Sequence, residues 1–264
     1  MVAKAQGIYD SLGLNLKIHL YSSLSDCEET LKKGTNDAVY CDFFRSIVMQ
    51  QEKPKYCFLY NFKEELLLLS GRDIRIKNLK QIRKRTISVY RNSASDYLCD
   101  YVAGQIHIDK EDIFRPQISD IFIRKKMLEN GQIEATILPQ PLALDMTLCG
   151  HSELLSTKKK DGNTSINSVI LSTMDDYKEK EQLFKILRQG SLYAITLINK
   201  KPQLADSILQ VDYHLTQKTI DSIHQWKIEI PRQINGIDYN IAKDWLKARS
   251  LWKSDKHGYP YTAL

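Results

Sequence analysis

Three groups of polar side chains follow short apolar runs of the chain, at positions where strands are predicted to end. The groups are Tyr40, Asp42 and Arg45; Asn92, Ser93 and Ser95; and Gln140, which stands between Pro139 and Pro141. Ligands of open α/β sheets bind beyond the carboxyl ends of the strands. We therefore expect these groups to contribute to one shared binding site.

Each group offers a different way of holding a small solute. A helix that starts in Asn92–Ser95 would direct unpaired backbone N–H groups and the positive end of its dipole at an anion. Arg45 would form a bidentate pair with a carboxylate, sulfonate or phosphate group. Gln140 would be presented at low entropic cost by a rigid loop, and Tyr40 would pack on a ring-bearing ligand. The mild basic balance also favours an anionic or polar-ring solute, without identifying it.

Each of these residues also has a purely structural explanation. Asp42, and either Asn92 or Ser93, could simply cap the helices that follow, an effect of about 1 kcal/mol each. Arg45 could pair with Asp42 or point into solvent, and Tyr40 could be half-buried in the core. The two prolines could mark an ordinary turn at the end of a strand.

The cysteines and histidines indicate neither a metal site nor a bound cofactor. The five cysteines are scattered, odd in number and never in a C-x-x-C pair, and the six histidines do not cluster. Cys41 could act as a nucleophile, but no histidine lies near it in the sequence to activate it. We therefore expect no catalysis through Cys41.

Composition is that of a soluble globular protein. The 264 residues are 42% hydrophobic and 27% charged, enough for one large domain or two of ordinary size. A formal charge of +6 is too weak to predict a nucleic-acid partner. The densest basic cluster, Arg72–Arg85, fits a solvated helix face, with an anion-binding or membrane-surface patch as the alternative. No apolar run is long enough to span a membrane.

Two stretches share a pattern that predicts two similar lobes. ETLKKGTNDAVYCDFF at Glu29–Phe44 and KMLENGQIEATILPQPLA at Lys126–Ala143 both fit L-x-x-G-x-x-[DE]-A followed by about four mostly apolar residues. The shared spacing is that of a helix, a turn and a short strand, although chance agreement would also explain it. The copies lie roughly one small domain apart, as two α/β lobes would require.

Periodicity predicts strands that alternate with helices, followed by a helical C-terminal part from Asp175. Such alternation favours mainly parallel sheets covered by helices. KKKDGN at Lys158–Asn163 predicts a loop. The predicted strands are Leu14–Leu20, Ala38–Cys41, Tyr56–Ser70, Thr86–Tyr90, Asp112–Gln117, Ala135–Leu138 and Ser168–Thr173.

The order of several short motifs resembles type II solute-binding proteins, the receptors of bacterial ABC importers. The resemblance covers essentially the whole chain and points to the branch that includes nitrate, sulfonate, taurine and thiamine-pyrimidine binders. The motifs are Ala3–Tyr9, Leu31 with Gly34 and Asp37-Ala38, Ser88-Val89 with Ser93-Ala94-Ser95, Gly131 with Glu134-Ala135 and Leu138–Pro141, and Asp244-Trp245-Leu246.

This resemblance implies two α/β lobes that close over a ligand in the cleft. Residues 1–70 and 167–264 would form lobe 1 and residues 71–166 lobe 2, with Ser70 between the lobes at a crossing. It also implies a periplasmic, monomeric binding protein without catalysis, whose partners are a small solute and the importer permease.

One departure from the family concerns the start of the chain. Members begin with a strand before the first helix, whereas this chain begins inside that helix. We therefore expect either an upstream segment with an export signal and a lipid-anchoring cysteine, or another element that fills the place of the strand.

Two other functions are compatible with the same scaffold. One is an enzyme of thiamine-pyrimidine synthesis, although the cysteine-rich iron motif of those relatives is missing. The other is a ligand-sensing domain, which would need a DNA-binding or signalling segment that these 264 residues do not show.

Overall fold

The computed structural model describes residues 1–74, 76–158 and 166–255. The loop predicted at Lys158–Asn163 lies, apart from its first residue, outside the described residues. The strands are β1 (Ala38–Asp42), β2 (Tyr56–Glu64), β3 (Leu66–Ser70), β4 (Ile87–Ser88), β5 (Ala135–Pro139), β6 (Ser152–Ser156) and β7 (Ile166–Thr173).

Helices cover these strands and make up the C-terminal part, as predicted. The helices are α1 (Val2–Ala5), α2 (Ile8–Ser11), α3 (Leu24–Lys33), α4 (Phe43–Glu52), α5 (Ala94–Gln105), α6 (Ile121–Glu129), α7 (Leu142–Leu148), α8 (Met174–Lys200), α9 (Asp206–Val211), α10 (Gln217–Ile223) and α11 (Gly236–Ala248).

The strands form two separate sheets. One sheet has the order β1-β7-β2 and the other β4-β5-β3-β6. The chain passes from the first sheet to the second between β2 and β3, and it returns through β7. This arrangement confirms an α/β fold with two strand-and-helix units.

The prediction of mainly parallel sheets is wrong in strand direction. β7 is antiparallel to both β1 and β2, and β3 is antiparallel to both β5 and β6; the pairing of β4 with β5 is parallel. The physical reason is that each sheet receives a strand from the crossing segments. β7 lies between β1 and β2, which run in the same direction as each other, as the local alternation of strands and helices requires.

Three predicted strands differ from those observed. One of them, Asp112–Gln117, forms no strand and makes only isolated bridges, from Phe114 to Thr86 and from Gln117 to Val89. Tyr56–Ser70 is not one strand but two, β2 and β3, interrupted at Glu65. Leu14–Leu20 alternates apolar and polar residues but forms no strand. Apart from bonds that Leu14 and Leu16 make close by in the chain, no backbone partner is found for it within the described residues. Alternation alone cannot supply the neighbouring strand that a ladder needs.

The predicted lobe boundary at Ser70 does not match the membership of the sheets. β3, which contains Ser70, lies in the second sheet, so the crossing falls near Glu65. Ser70 pairs with Ala135, whereas Leu66 pairs with Pro139 at the other end of β3. At about 3.3 Å per residue, Ser70 lies roughly 13 Å from the end of the sheet at which β5 finishes.

One apolar core runs through both sheets. It contains residues of β1 and α4 together with residues of β4, β5 and α5. The Phe44 ring of α4 stacks on the Tyr97 ring of α5, with 4.7 Å between centroids. Trp245 of α11 packs edge-on against both rings. Helices α4, α5 and α11 therefore join the two sheets on one side of the molecule.

Among the described residues, no helix combines the length and the apolar character of a membrane-spanning segment.

Candidate functional site

The Asp42 carboxylate joins the starts of two helices that belong to different sheets. One oxygen, Oδ1, accepts the backbone N–H of Arg45 in α4 at 3.0 Å, as expected of an N-cap aspartate. The other, Oδ2, accepts the backbone N–H of Ala94, the first residue of α5, at 2.9 Å. Removal from water raises the pKa of Asp42 from 3.8 to about 7, although the two N–H donors oppose this effect. The capping role of Asp42 and its position at the strand ends therefore coexist.

The Arg45 guanidinium is already paired with a carboxylate of the protein. Its Nε and Nη2 donate to Glu28 at 2.9 and 2.6 Å, and the Glu28 side chain is only 2% exposed. The guanidinium also lies over the Tyr90 ring, 5.0 Å from its centroid. Burial opposes the charge of Arg45, but the hydrogen bonds and charge of Glu28 outweigh it and raise the pKa of Arg45. Neither alternative from the sequence, Asp42 or solvent, is the partner of this side chain.

The hydroxyls after β4 are used within their own loop. Ser93 is the N-cap of α5, and its Oγ donates to the Tyr90 carbonyl at 2.6 Å and accepts the Ser95 N–H at 3.1 Å. Ser95 Oγ accepts the Tyr90 N–H at 3.1 Å. Asn92 has a left-handed backbone, with φ of 59°, and its N–H donates to Asp96 at 2.9 Å. The loop is thereby fixed in a shape that aims the N–H of Ala94 at Asp42.

Tyr40 and Glu64 form a second polar pair at the end of the first sheet. The Tyr40 hydroxyl donates to the Glu64 carboxylate, while the tyrosine remains 46% exposed. Its ring is tilted against Phe62, with centroids 5.8 Å apart. Burial raises the pKa of the Glu64 carboxyl, and the charge of Glu64 also acts on Asp42. Tyr40 is therefore more exposed than a half-buried core residue, and its contact with a solute stays a prediction.

Gln140 and Ser70 occupy different surroundings from those expected. The Gln140 side-chain oxygen accepts the Leu144 N–H at 3.0 Å and so caps α7. Ser70 is fully buried, and its hydroxyl donates to the Ile76 carbonyl at 2.9 Å. Because Ser70 lies at the far end of β3, the structure does not bring it together with the other candidate residues.

Three residues of this region were missed by the sequence analysis. Tyr90 is the last residue of the predicted strand Thr86–Tyr90 and lies two residues after β4, so the rule of strand ends could have selected it. Glu28 lies three residues before the buried Leu31 on one helical face, a signal for a buried and therefore paired carboxylate. Arg124 lies four residues before the buried Leu128, so the apolar face of α6 indicates a buried arginine in the same way.

No acid group among the described residues forms an ion pair with Arg124. The side chain is 3% exposed, and its Nη1 donates to the Ile137 carbonyl at 2.8 Å. Its Nε has no hydrogen-bond partner among the described residues. Burial lowers the pKa of the guanidinium to about 10, while the charges of Asp120 and Asp42 oppose this decrease. Arg124 is therefore a buried cation on the side of the second sheet, within the field of Asp42.

A separate ion network fixes α5 to the C-terminal part of the chain. Arg115 Nη1 donates to Asp96 and Asp100 at 3.0 and 2.6 Å. Asp100 also accepts the Trp245 indole N–H at 2.8 Å and Arg249 at 3.0 Å. Because Asp96 and Asp100 lie on α5, Trp245 lies on α11 and Arg249 directly follows α11, the network holds the start of α5 in place.

The surroundings of Cys41 do not favour nucleophilic catalysis. Cys41 is 1% exposed, and burial raises the pKa of its thiol well above the ordinary value, which disfavours a thiolate nucleophile. Within the described residues, no group of three or more His, Cys, Asp or Glu side chains could hold a metal ion.

Comparison with known proteins shows the fold. No protein-family model matches the chain, and no curated protein matches its sequence. Among solved structures, the alkanesulfonate-binding protein SsuA from Xanthomonas axonopodis pv. citri, bound to MOPS, is 14% identical with a TM-score of 0.80. The similarity covers 96% of this chain and 90% of that one.

Two further structures have the same architecture. The ligand-binding component of an ABC-type import system from Staphylococcus aureus, solved with zinc bound, is 12% identical with a TM-score of 0.78, over 94% of this chain and 86% of that one. The Candida albicans CA3427 product, described as having the generic periplasmic binding protein fold, is 15% identical with a TM-score of 0.73, over 97% of this chain and 87% of that one. The chain has the periplasmic-binding-protein fold.

Proposed function

We propose that the chain is the substrate-binding protein of an ABC importer and captures a small solute between its two lobes. The observation that carries this proposal is the convergence of two helix starts, those of α4 and α5, on one carboxylate between the two sheets. Backbone N–H groups of this kind bind acid groups without side-chain reorganisation. The similar structures include a sulfonate-binding protein and a component of an ABC-type importer, which agrees with this role.

The proposed site consists of the residues at the strand ends around the Asp42 carboxylate, on which the starts of α4 and α5 converge. Asp42 and the loop Asn92–Ser95 lie at the convergence, Arg45 and Tyr40 flank it, and Gln140 supports the neighbouring strand end. Sheet membership supports lobes formed by residues 1–64 with 166–255 and by residues 66–156. Ser70 is not included in the site.

The biological setting follows from the same role. We infer a periplasmic location, a monomeric state, an importer permease as the protein partner, and no catalysis. A lipid anchor would be attached outside the described residues. Solutes of the nitrate, sulfonate, taurine and thiamine-pyrimidine classes are the first to test, because the sequence resemblance points to their binders.

Thermal shift and calorimetry test this function directly. A solute that binds the folded chain raises the melting temperature, and at 100 times its Kd it adds about 2.7 kcal/mol of stability. We expect one class of the panel to give such a shift, with a one-to-one stoichiometry by titration calorimetry and compaction by small-angle scattering. A panel in which no solute changes either the melting temperature or the scattering would contradict the proposal.

A further inference from the structure

The Asp42 carboxylate fills a position that is suited to an acid group of another molecule. Its two oxygens take the Arg45 and Ala94 N–H groups at 3.0 and 2.9 Å. Ala94 opens a helix of 12 residues, whose positive end attracts an anion. An N-cap needs only the bond within its own helix, so the bond to Ala94 across the two sheets goes beyond capping.

A buried cation on which the charge of Asp42 acts is short of an acid partner among the described residues. Arg124 has five N–H donors, of which one nitrogen bonds the Ile137 carbonyl and Nε bonds nothing among the described residues. No ion pair within hydrogen-bonding reach is found for it in the described part of the chain, although Asp42 and Asp120 act on it through their charge. A buried guanidinium in this state is costly, and an added acid group would relieve that cost.

We propose that Asp42 is a resident competitor, and that the carboxylate or sulfonate group of a ligand displaces it from the Ala94 N–H and pairs with Arg124. This assignment rests on the binding function proposed above and names acid-bearing solutes as the class for the same site. No covalent bond forms or breaks; one acid group replaces another at the start of α5.

Displacement is coupled to protonation of Asp42, because a second anion beside it disfavours its charged form. The charged and titratable groups around Asp42 are Cys41 on β1, Arg45 on α4, Glu28 on α3, Glu64 on β2, Tyr90 after β4 and Arg124 on α6. Desolvation already holds the pKa of Asp42 near 7. Above pH 7, binding is therefore accompanied by the uptake of about one proton. The affinity then falls about tenfold for each increase of one pH unit.

Titration calorimetry with methanesulfonate and with acetate tests this coupling, since both probes stay ionised between pH 6 and 8. We expect binding at pH 6 to be about tenfold tighter than at pH 8. Measurement at pH 8 in two buffers of different ionisation enthalpy should report uptake of close to one proton.

Two pairs of variants locate the effect. Asp42→Asn should remove the pH dependence, whereas Asp37→Asn, at an exposed aspartate just before the same strand, should retain it. Arg124→Gln should weaken binding of both probes at least tenfold, whereas Arg83→Gln, at an exposed arginine of the same unit, should leave it unchanged.

Equal affinity at pH 6 and 8, or no binding of either acid, overturns the resident-competitor assignment. If an uncharged pyrimidine of the same panel binds, the proposed transport function is still supported. If no solute of the panel binds, both the transport function and the resident-competitor assignment are rejected. If Arg124→Gln does not fold, carboxyl resonances of the wild-type protein decide: the pKa of Asp42 must rise when methanesulfonate is added.

Discussion

Glu28 and Arg45 form an ion pair that is largely removed from water, with side chains 2% and 12% exposed. Glu28→Ala would leave the Arg45 charge without a partner, and we expect a loss of about 3–5 kcal/mol in the free energy of unfolding. Replacing both residues by apolar ones, as Glu28→Leu with Arg45→Met, should cost less than Glu28→Ala alone. Urea denaturation of the two variants and the wild type measures these differences.

The neighbouring Glu29 supplies the control for this pair. It pairs with Lys32 at 3.3 Å but is 49% exposed. Solvent screening keeps such pairs within about 1 kcal/mol, so Glu29→Ala should change stability only slightly. A Glu29→Ala loss as large as that of Glu28→Ala would show that burial does not control the effect.

The raised pKa of Asp42 predicts how stability depends on pH. Its value in the folded chain is about 7, against an ordinary 3.8, so its contribution is fully present below the lower value and is lost as the pH rises through 7. Between pH 5 and 8 this group should lower the free energy of unfolding by roughly 3 kcal/mol. The difference between Asp42→Asn and wild type should therefore shift in favour of the variant over this range.

Other groups titrate near this window, so the comparison between variants is the informative measurement. Burial lowers the pKa of His151, so its contribution to the free energy of unfolding increases as the pH rises through its titration range. Burial raises the pKa of Glu64, so its contribution decreases as the pH rises, as that of Asp42 does. His151 and Glu64 are present in both the wild type and Asp42→Asn. The free energy of unfolding of Asp37→Asn should follow that of the wild type at every pH. If the difference between Asp42→Asn and the wild type stays constant with pH, the prediction is contradicted.

At the scale of elements, two helical glycines have opposite surroundings. An added Cβ at Gly190 of α8 would lie 2.3 Å from the Tyr9 ring, whereas one at Gly104 of α5 meets nothing within 4 Å. Gly104→Ala should stabilise by about 0.5–1 kcal/mol, because alanine has the higher helix propensity. Gly190→Ala should destabilise by about 1–3 kcal/mol, since the contact between α8 and α2 must open. Thermal denaturation of both variants measures the contrast, and equal shifts would contradict it.

The elements that the sequence predicts well are those determined by local signals. Asp42 and Ser93 cap α4 and α5, and the apolar runs before Asp42 and Pro139 are β1 and β5. Such caps and short runs depend on neighbours within a few residues, which a sequence displays directly. The α/β class and the helical C-terminal part follow from the same signals.

The remaining features depend on contacts between distant parts of the chain. The position of β7 between β1 and β2 joins residues more than 100 positions apart, and no local pattern encodes its direction. The pairing of Glu28 with Arg45, and the place of Ala94 opposite Asp42, likewise need the assembled fold. The sequence therefore identifies the strand ends that form the site but not which of their groups are already satisfied.

At the scale of the whole molecule, one core crosses from the first sheet to the second through Phe44, Tyr97 and Trp245. We therefore expect the described part to unfold in a single cooperative transition, with equal calorimetric and van't Hoff enthalpies. Phe44→Ala should lower the free energy of unfolding by about 3–5 kcal/mol, because it removes a ring from the packing between α4 and α5. Phe114→Ala, at a residue 57% exposed, should change it far less. Two separate transitions in the wild-type scan would mean that the sheets are independent units, and the contact of Asp42 with Ala94 would then not be fixed by a shared core.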